Sequence, residues 1–172
     1  ITLAEGEGRI GDFPHRPDLP VRTAWDIGID DYTAIWFLQD DGINATAIDY
    51  HEFSGVGVED IVRTALPELI PDVPASFLAR HRIERAKAYR YGEHFLPHDV
   101  KVREWGAGGR TRALTLMALG VKPIHVGAQQ GPVERINAAR HFLPLMRFSR
   151  TKRVMLGVSR LRRYSRRLSD SL

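Results

Sequence analysis

Two aspartates stand where apolar runs end. Asp26 closes Val21-Arg-Thr-Ala-Trp25, and Asp99 follows His94-Phe-Leu-Pro-His98. Each run reads as a buried strand, so each carboxylate is delivered at a strand end. Two such carboxylates meeting in space can anchor a divalent cation, because hard ions such as Mg²⁺ take oxygen ligands and keep positions open for water and phosphate. A lone aspartate after a strand is an ordinary turn former, so the pair carries weight only if the fold brings both together. Asp49 and Glu52 on a third apolar run are further candidate ligands. Alternation puts these two on opposite faces, so at most one can share the side of Asp26. Asp30 and Asp31 read as turn residues. His98 adjoins Asp99 and is a candidate to order a water or meet a phosphate, whereas His94 reads as a half-buried core histidine.

Strands and helices must place these groups. Val21–Ile29, Thr33–Gln39 and Asn44–Phe53 read as three strands joined by the short acidic turns Asp30-Asp31 and Asp40-Asp41-Gly42. Turns this tight leave no room for crossover helices, so the three form an antiparallel meander. Gly57–Leu66 has helical spacing (Val58, Ile61, Val62, Ala65) and stops at Pro67. A second helical pattern runs from Ala75 to about Ala88 and is broken by Gly92. The strand His94–Leu96 leads to Asp99. Gly106-Ala-Gly-Gly109 opens a helix through Leu119, Gly120 stops it, and Val121–Val126 is a strand. Val133–Leu143 and Lys152–Arg167 complete the order as helices. Val154, Leu161 and Tyr164 are expected on the packed side of the last one, and Trp25, Trp36 and Trp105 as core or partly buried aromatics. Residues 1–20, with Pro14, Pro17 and Pro20, read as a linker or extended arm, and 21–172 as one domain.

A chain of 172 residues with 43% apolar content buries one sizeable core. It contains no cysteine, so disulfide scaffolds and thiolate metal sites are excluded and any metal falls to carboxylate or histidine. No run approaches the roughly 18 apolar residues of a membrane span, and the N-terminal residues do not form a signal peptide. The net charge of +4 is unevenly spread. Nine basic residues and no acid lie between Arg147 and Arg167, which leaves the rest of the chain with 16 basic against 21 acidic residues. A basic tract on an acidic body fits polyanion binding by one surface. Candidate phosphate contacts are Arg160, Arg163 and Arg167 in the tract. Lys101, Arg103, Arg110 and Arg112 are others, around a glycine turn whose amides face outward at a helix start.

Three antiparallel strands followed by strand–helix alternation describe an α/β mixed sheet flanked by helices. The ribonuclease H-like nuclease fold has this order, with acids on its first and fourth strands, which are neighbours in the sheet. More specifically, Trp25-Asp26-Ile-Gly28-Ile-Asp-Asp31-Tyr-Thr33-Ala34-Ile35-Trp36 resembles the opening hairpin of the nuclease domain of phage terminase large subunits. Tyr91-Gly-Glu-His94-Phe-Leu-Pro97-His98-Asp99 resembles its second acidic strand. Arg135-Ile-Asn137 and Leu161-Arg-Arg-Tyr164 continue the likeness, which spans about residues 21–167.

That resemblance implies a two-metal endonuclease using Mg²⁺ or Mn²⁺, with Asp26 and Asp99 as catalytic metal ligands, that cuts double-stranded DNA during viral genome packaging in the host cell cytoplasm. It implies as partners an ATPase domain of the same polypeptide, a small terminase subunit and a portal protein, and no membrane. No phosphate-binding Gly-x-x-x-x-Gly-Lys-[Ser/Thr] occurs, so the chain is expected to be the nuclease part alone. Two features depart from the family. Its third metal-binding aspartate, in a Ser-His-x-x-Asp-Ala-like segment, has no counterpart, since Arg-Leu-Ser-Asp170 does not match. The segment either lies beyond Leu172 or the site is built differently. Residues 67–88 also read as an insertion. Two alternatives stay open: a cellular junction resolvase of the same fold, and a non-catalytic DNA-binding or motor-docking module.

Overall fold

The computed structural model describes residues 2–28, 32–70, 74–81, 89–101 and 111–163. Alternation fixes the first strands: in β2 (Val21–Ile27) Val21, Thr23 and Trp25 are buried and Asp26 is exposed, and in β3 (Thr33–Asp40) Thr33, Ile35, Phe37 and Gln39 are buried. β4 (Ala45–Phe53) is covered on both faces and follows a turn in which the Asp41 carboxylate accepts the Ile43 and Asn44 amides. β2, β3 and β4 form the expected meander, and β5 (Tyr91–Leu96) and β6 (Ile124–Val126) continue the sheet in parallel beside β2. β7 (Met146–Ser149) joins the other edge next to β4, with β1 (Ile10–Gly11) beyond it. The whole order is β1-β7-β4-β3-β2-β5-β6, a mixed seven-stranded sheet.

Helices cover both faces. On the Trp25 face, α2 (Val58–Ala65) and α4 (Arg112–Ala118) bury Ile61, Val62, Ala65 and Leu116 against Val21, Ile35 and Phe37. On the other face, α6 (Lys152–Arg163) buries Val154 and Val158 against Ala47 and Phe148, beside Trp36. Gly157 makes that contact possible: a Cβ there would lie 2.5 Å from Trp36 Cη2 and 2.8 Å from Tyr50 Cδ2, so the helix backbone rests directly on two aromatic rings. Leu161, expected inward, is exposed, because Gly157 and Val158 carry the packed stripe instead. α3 (Ala75–His81), within the suspected insertion, exposes its described side chains. α5 (Pro132–Phe142) also exposes its described side chains, apart from the half-buried Ile136. Among the described residues no helix is long and apolar enough to cross a membrane.

The N-terminal segment differs from its expected role as an arm. α1 (Thr2–Gly6) buries Ala4, Ile10 is 4% exposed, and β1 pairs with the edge of β7. Two isolated apolar residues and a free strand edge outweigh the glycine- and proline-rich composition. Residues 16–19 are fastened by the buried Gln39 amide, which accepts from the Arg16 amide at 2.8 Å and donates to the Arg16 and Leu19 carbonyls. β7 itself carries no clear sequence signal: four residues interrupted by Arg147 become a strand because β4 offers an edge. Trp105 and Tyr164 lie outside the described residues.

Candidate metal centre

Asp26 points to the face opposite the buried Trp25, near the C-terminal end of β2. β2 and β5 run parallel with Thr23 beside His94 and Ala24 beside Phe95, so the chain segments that follow leave the sheet at the same end. Asp99 does not extend β5 as a strand residue. Pro97 follows the last strand residue, Leu96, and His98–Lys101 turn as a short 3-10 helix pinned by the fully buried Val100. Asp26 lies two residues beyond Ala24 and Asp99 four beyond Phe95, which sets both acids at one end of adjacent parallel strands. Under the sheet, the Thr23 hydroxyl links Trp25 Nε1 and His94 Nδ1, each at 2.7 Å, and so ties β2 to β5 just below this end. His94 is completely buried rather than half-buried, and burial lowers its pKa to about 4, so it is neutral at neutral pH.

The donor chemistry fits a hard cation. Asp99 Oδ1 is buried and has no hydrogen-bond partner among the described residues, which leaves its lone pairs unsatisfied by them. Asp26 is exposed, and no described residue hydrogen-bonds it. Among the described residues no group of three histidines or acids is placed to hold a metal.

The two other acids separate as alternation requires. Asp49 pairs across the sheet with Phe37 and is 3% exposed. Arg153 from α6 grips it with Nε and Nη2 at 2.7 and 2.6 Å, and the Tyr89 hydroxyl donates to it at 3.2 Å. His51 beside it is pushed down to about pKa 4 by burial, against the pull of the Asp49 charge. Asp49 is thus enclosed within the fold. Glu52 lies on the face of Asp26, in one cross-strand row: Asp26 opposite Ala34, and Ala34 opposite Glu52. Arg160 binds the Glu52 carboxylate through Nε and Nη2 at 3.0 and 2.6 Å, and the Tyr50 hydroxyl donates to it at 2.9 Å. The Arg160 guanidinium holds the Glu52 carboxyl below the usual carboxylate range. Burial first, then the hydrogen bond to Glu52 and the Glu52 charge, raises the Tyr50 phenol, and the charge of Asp26 adds to that rise.

The candidate phosphate contacts fall on different parts of the molecule. Lys101 ends the Asp99 turn and is exposed. Arg112 begins α4 on the Trp25 side, where it lines a cavity of about 190 Å³ with Trp25, Ile27, Thr33 and Ile61. Arg160 and the exposed Arg163 belong to α6 on the Asp26 side, while Arg103, Arg110 and Arg167 lie outside the described residues, as do Asp30, Asp31 and Gly106–Gly109. Within the basic tract several charges already have partners in the fold: Arg150 donates to the Ile10 carbonyl, Arg153 to Asp49 and Arg162 to Glu5 at the surface. The Glu52–Arg160 pairing escapes sequence reading, since 108 residues separate its members and only the packing of α6 over β4 joins them.

The fold has solved counterparts. The chain matches the large terminase nuclease of thermophilic phage G20c, determined with bound zinc, at a TM-score of 0.51 over 96% of this chain and 89% of that one, with 16% identity. The chain has the large-terminase nuclease fold. The large terminase of a second thermophilic bacteriophage matches at a TM-score of 0.51 over 82% of this chain with 10% identity, and the chain covers 31% of that protein. The same terminase in complex with ATP-gamma-S gives an equal TM-score over 81% of this chain. No family model and no curated protein matches by sequence. At these identities the likeness fixes the terminase-nuclease architecture and leaves residue roles to the chemistry of this chain.

Proposed function

We propose that this chain is a metal-dependent endonuclease domain of a viral DNA-packaging terminase, cutting double-stranded DNA with Asp26 and Asp99 as its metal-holding carboxylates. The observation that supports the reading is the parallel pairing of β2 with β5, which carries Asp26 and the segment leading to Asp99 to the same end of the sheet, together with a buried Asp99 oxygen that no described residue partners. Two divalent ions, Mg²⁺ or Mn²⁺, supply an acidified water and relief of charge on the scissile phosphate when bound. Asp26 and Asp99 would be the carboxylates that hold them. Val100 and the Trp25–Thr23–His94 chain keep both acids in place from below. His98 orders a water or meets a phosphate beside Asp99. Lys101, Arg103, Arg110, Arg112, Arg160, Arg163 and Arg167 contact the DNA backbone, which positions the duplex without reading its sequence. The ATPase domain of the same polypeptide, a small terminase subunit and a portal protein are its partners, in the host cell cytoplasm.

A second reading, a DNA-binding or motor-docking module without catalysis, draws on the lack of a third acid among the described residues. Incubation with supercoiled plasmid separates the two. The nuclease reading expects nicking and linearisation in Mg²⁺ or Mn²⁺ and none in EDTA. It also expects Asp99→Asn to slow cutting by about a hundredfold or more, some 2.7 kcal/mol of barrier. Binding without any cutting in either metal establishes the docking module instead.

A further inference from the structure

Glu52 and Arg160 form a unit that neither metal binding nor a general basic tract explains. The pairing is fork on fork, the strongest geometry open to arginine and a carboxylate, and the Tyr50 hydroxyl adds a third bond to the acid. Glu52 is the inner partner, its side chain 15% exposed against 41% for Arg160. Nη1 of Arg160 bonds no described residue, and the Tyr32 ring lies 5.5 Å from Cζ. A guanidinium has five N–H donors in a planar fork, so an acid on the Nε–Nη2 edge leaves a second two-donor edge facing outward. The helix beneath is fixed as well, because Gly157, one turn earlier, seats α6 on Trp36 and Tyr50. Glu52 and Asp26 stand in one cross-strand row with Ala34 between them, which puts the pair on the face and in the neighbourhood of Asp26.

We propose that Arg160 binds a DNA phosphate at the cleavage site itself, beside Asp26, and that Glu52 is its positioning residue and not a metal ligand. The inference rests on the nuclease reading. A preorganised guanidinium has already lost the side-chain freedom that a free arginine gives up on binding. It also offsets the repulsion that Asp26 exerts on an approaching polyanion. Arg150, Arg153 and Arg162 of the same tract are turned to other parts of the fold, so their charges do not serve this position.

The test measures binding of a short DNA duplex by the 172-residue chain in EDTA across a salt series, and Mn²⁺ affinity by calorimetry. Arg160→Gln is expected to weaken DNA binding by about tenfold and to flatten the salt dependence by about one unit. Glu52→Gln is expected to weaken it to a similar extent, and the double variant no further than Arg160→Gln alone. Mn²⁺ affinity stays within about twofold of the parent throughout. Arg160→Lys keeps the charge but cannot form the fork; it is expected to bind DNA several-fold more weakly with an unchanged slope, and it carries the test should Glu52→Gln fail to fold. A tenfold loss of Mn²⁺ affinity in Glu52→Gln would make Glu52 a ligand and overturn the proposal. Parent-like DNA binding in every variant would reduce the pair to a tie between α6 and β4, with the nuclease reading untouched. A parent chain that binds no DNA removes both.

Discussion

Replacing Asp26 with Asn is expected to leave a folded domain that cuts plasmid DNA about a thousandfold more slowly, or not at all. The substitution keeps the size of the side chain and removes the charge that anchors the ions, so most of the metal-assisted rate goes with it. Stability should barely move. Asp26 is exposed, no described residue hydrogen-bonds it, and exposed substitutions of that kind fall within about 0.5 kcal/mol. Relief of repulsion with neighbouring acids can even raise stability slightly. Cleavage rates with matched thermal melts measure both halves. A folded Asn variant with parental activity would remove Asp26 from the chemistry.

Asp49→Ala should do the reverse. It withdraws the carboxylate that receives both donors of the Arg153 fork and the Tyr89 hydroxyl at a position 3% exposed. Removing one partner of a buried ion pair costs about 3–5 kcal/mol, because the remaining charge keeps its desolvation penalty. In a domain of this size that lowers the melting temperature by about 10 °C. Cutting per folded molecule, assayed at a temperature where the variant is still native, should stay close to parental. A loss under about 1 kcal/mol would mean that solvent replaces Asp49 readily. A collapse of activity in folded protein would restore Asp49 as a ligand.

These opposite expectations for two acids show what the sequence could and could not reveal. The meander was legible because Val21, Thr23 and Trp25 alternate with Arg22, Ala24 and Asp26, and because Asp40-Asp41-Gly42 can form only a tight turn; Gly42 takes a φ of 87° there. The adjacency of the first and fourth strands was expected from the resemblance to the ribonuclease H-like fold, and the pairing of β2 with β5 agrees with it. Alternation also separated Asp49 from Glu52. What composition hid were elements made by context. Ala4 and Ile10 bury themselves inside a segment rich in glycine and proline, and Met146–Ser149 is a strand only because β4 lends it an edge. The fate of the basic tract was equally invisible. Charge counting treats Arg153 and Arg160 alike, whereas packing sends one to the enclosed Asp49 and the other to Glu52 on the face of Asp26.

The central claim is that Asp26 and Asp99 share metal, and a crystal of this chain soaked in Mn²⁺ tests it most directly. The account predicts anomalous density between the two side chains, with an oxygen of each within about 2.3 Å of an ion, and with Glu52 still held by Arg160. Carboxylates that stay more than about 6 Å apart, or manganese bound at Asp49 or Glu52 with none at Asp26, would contradict it.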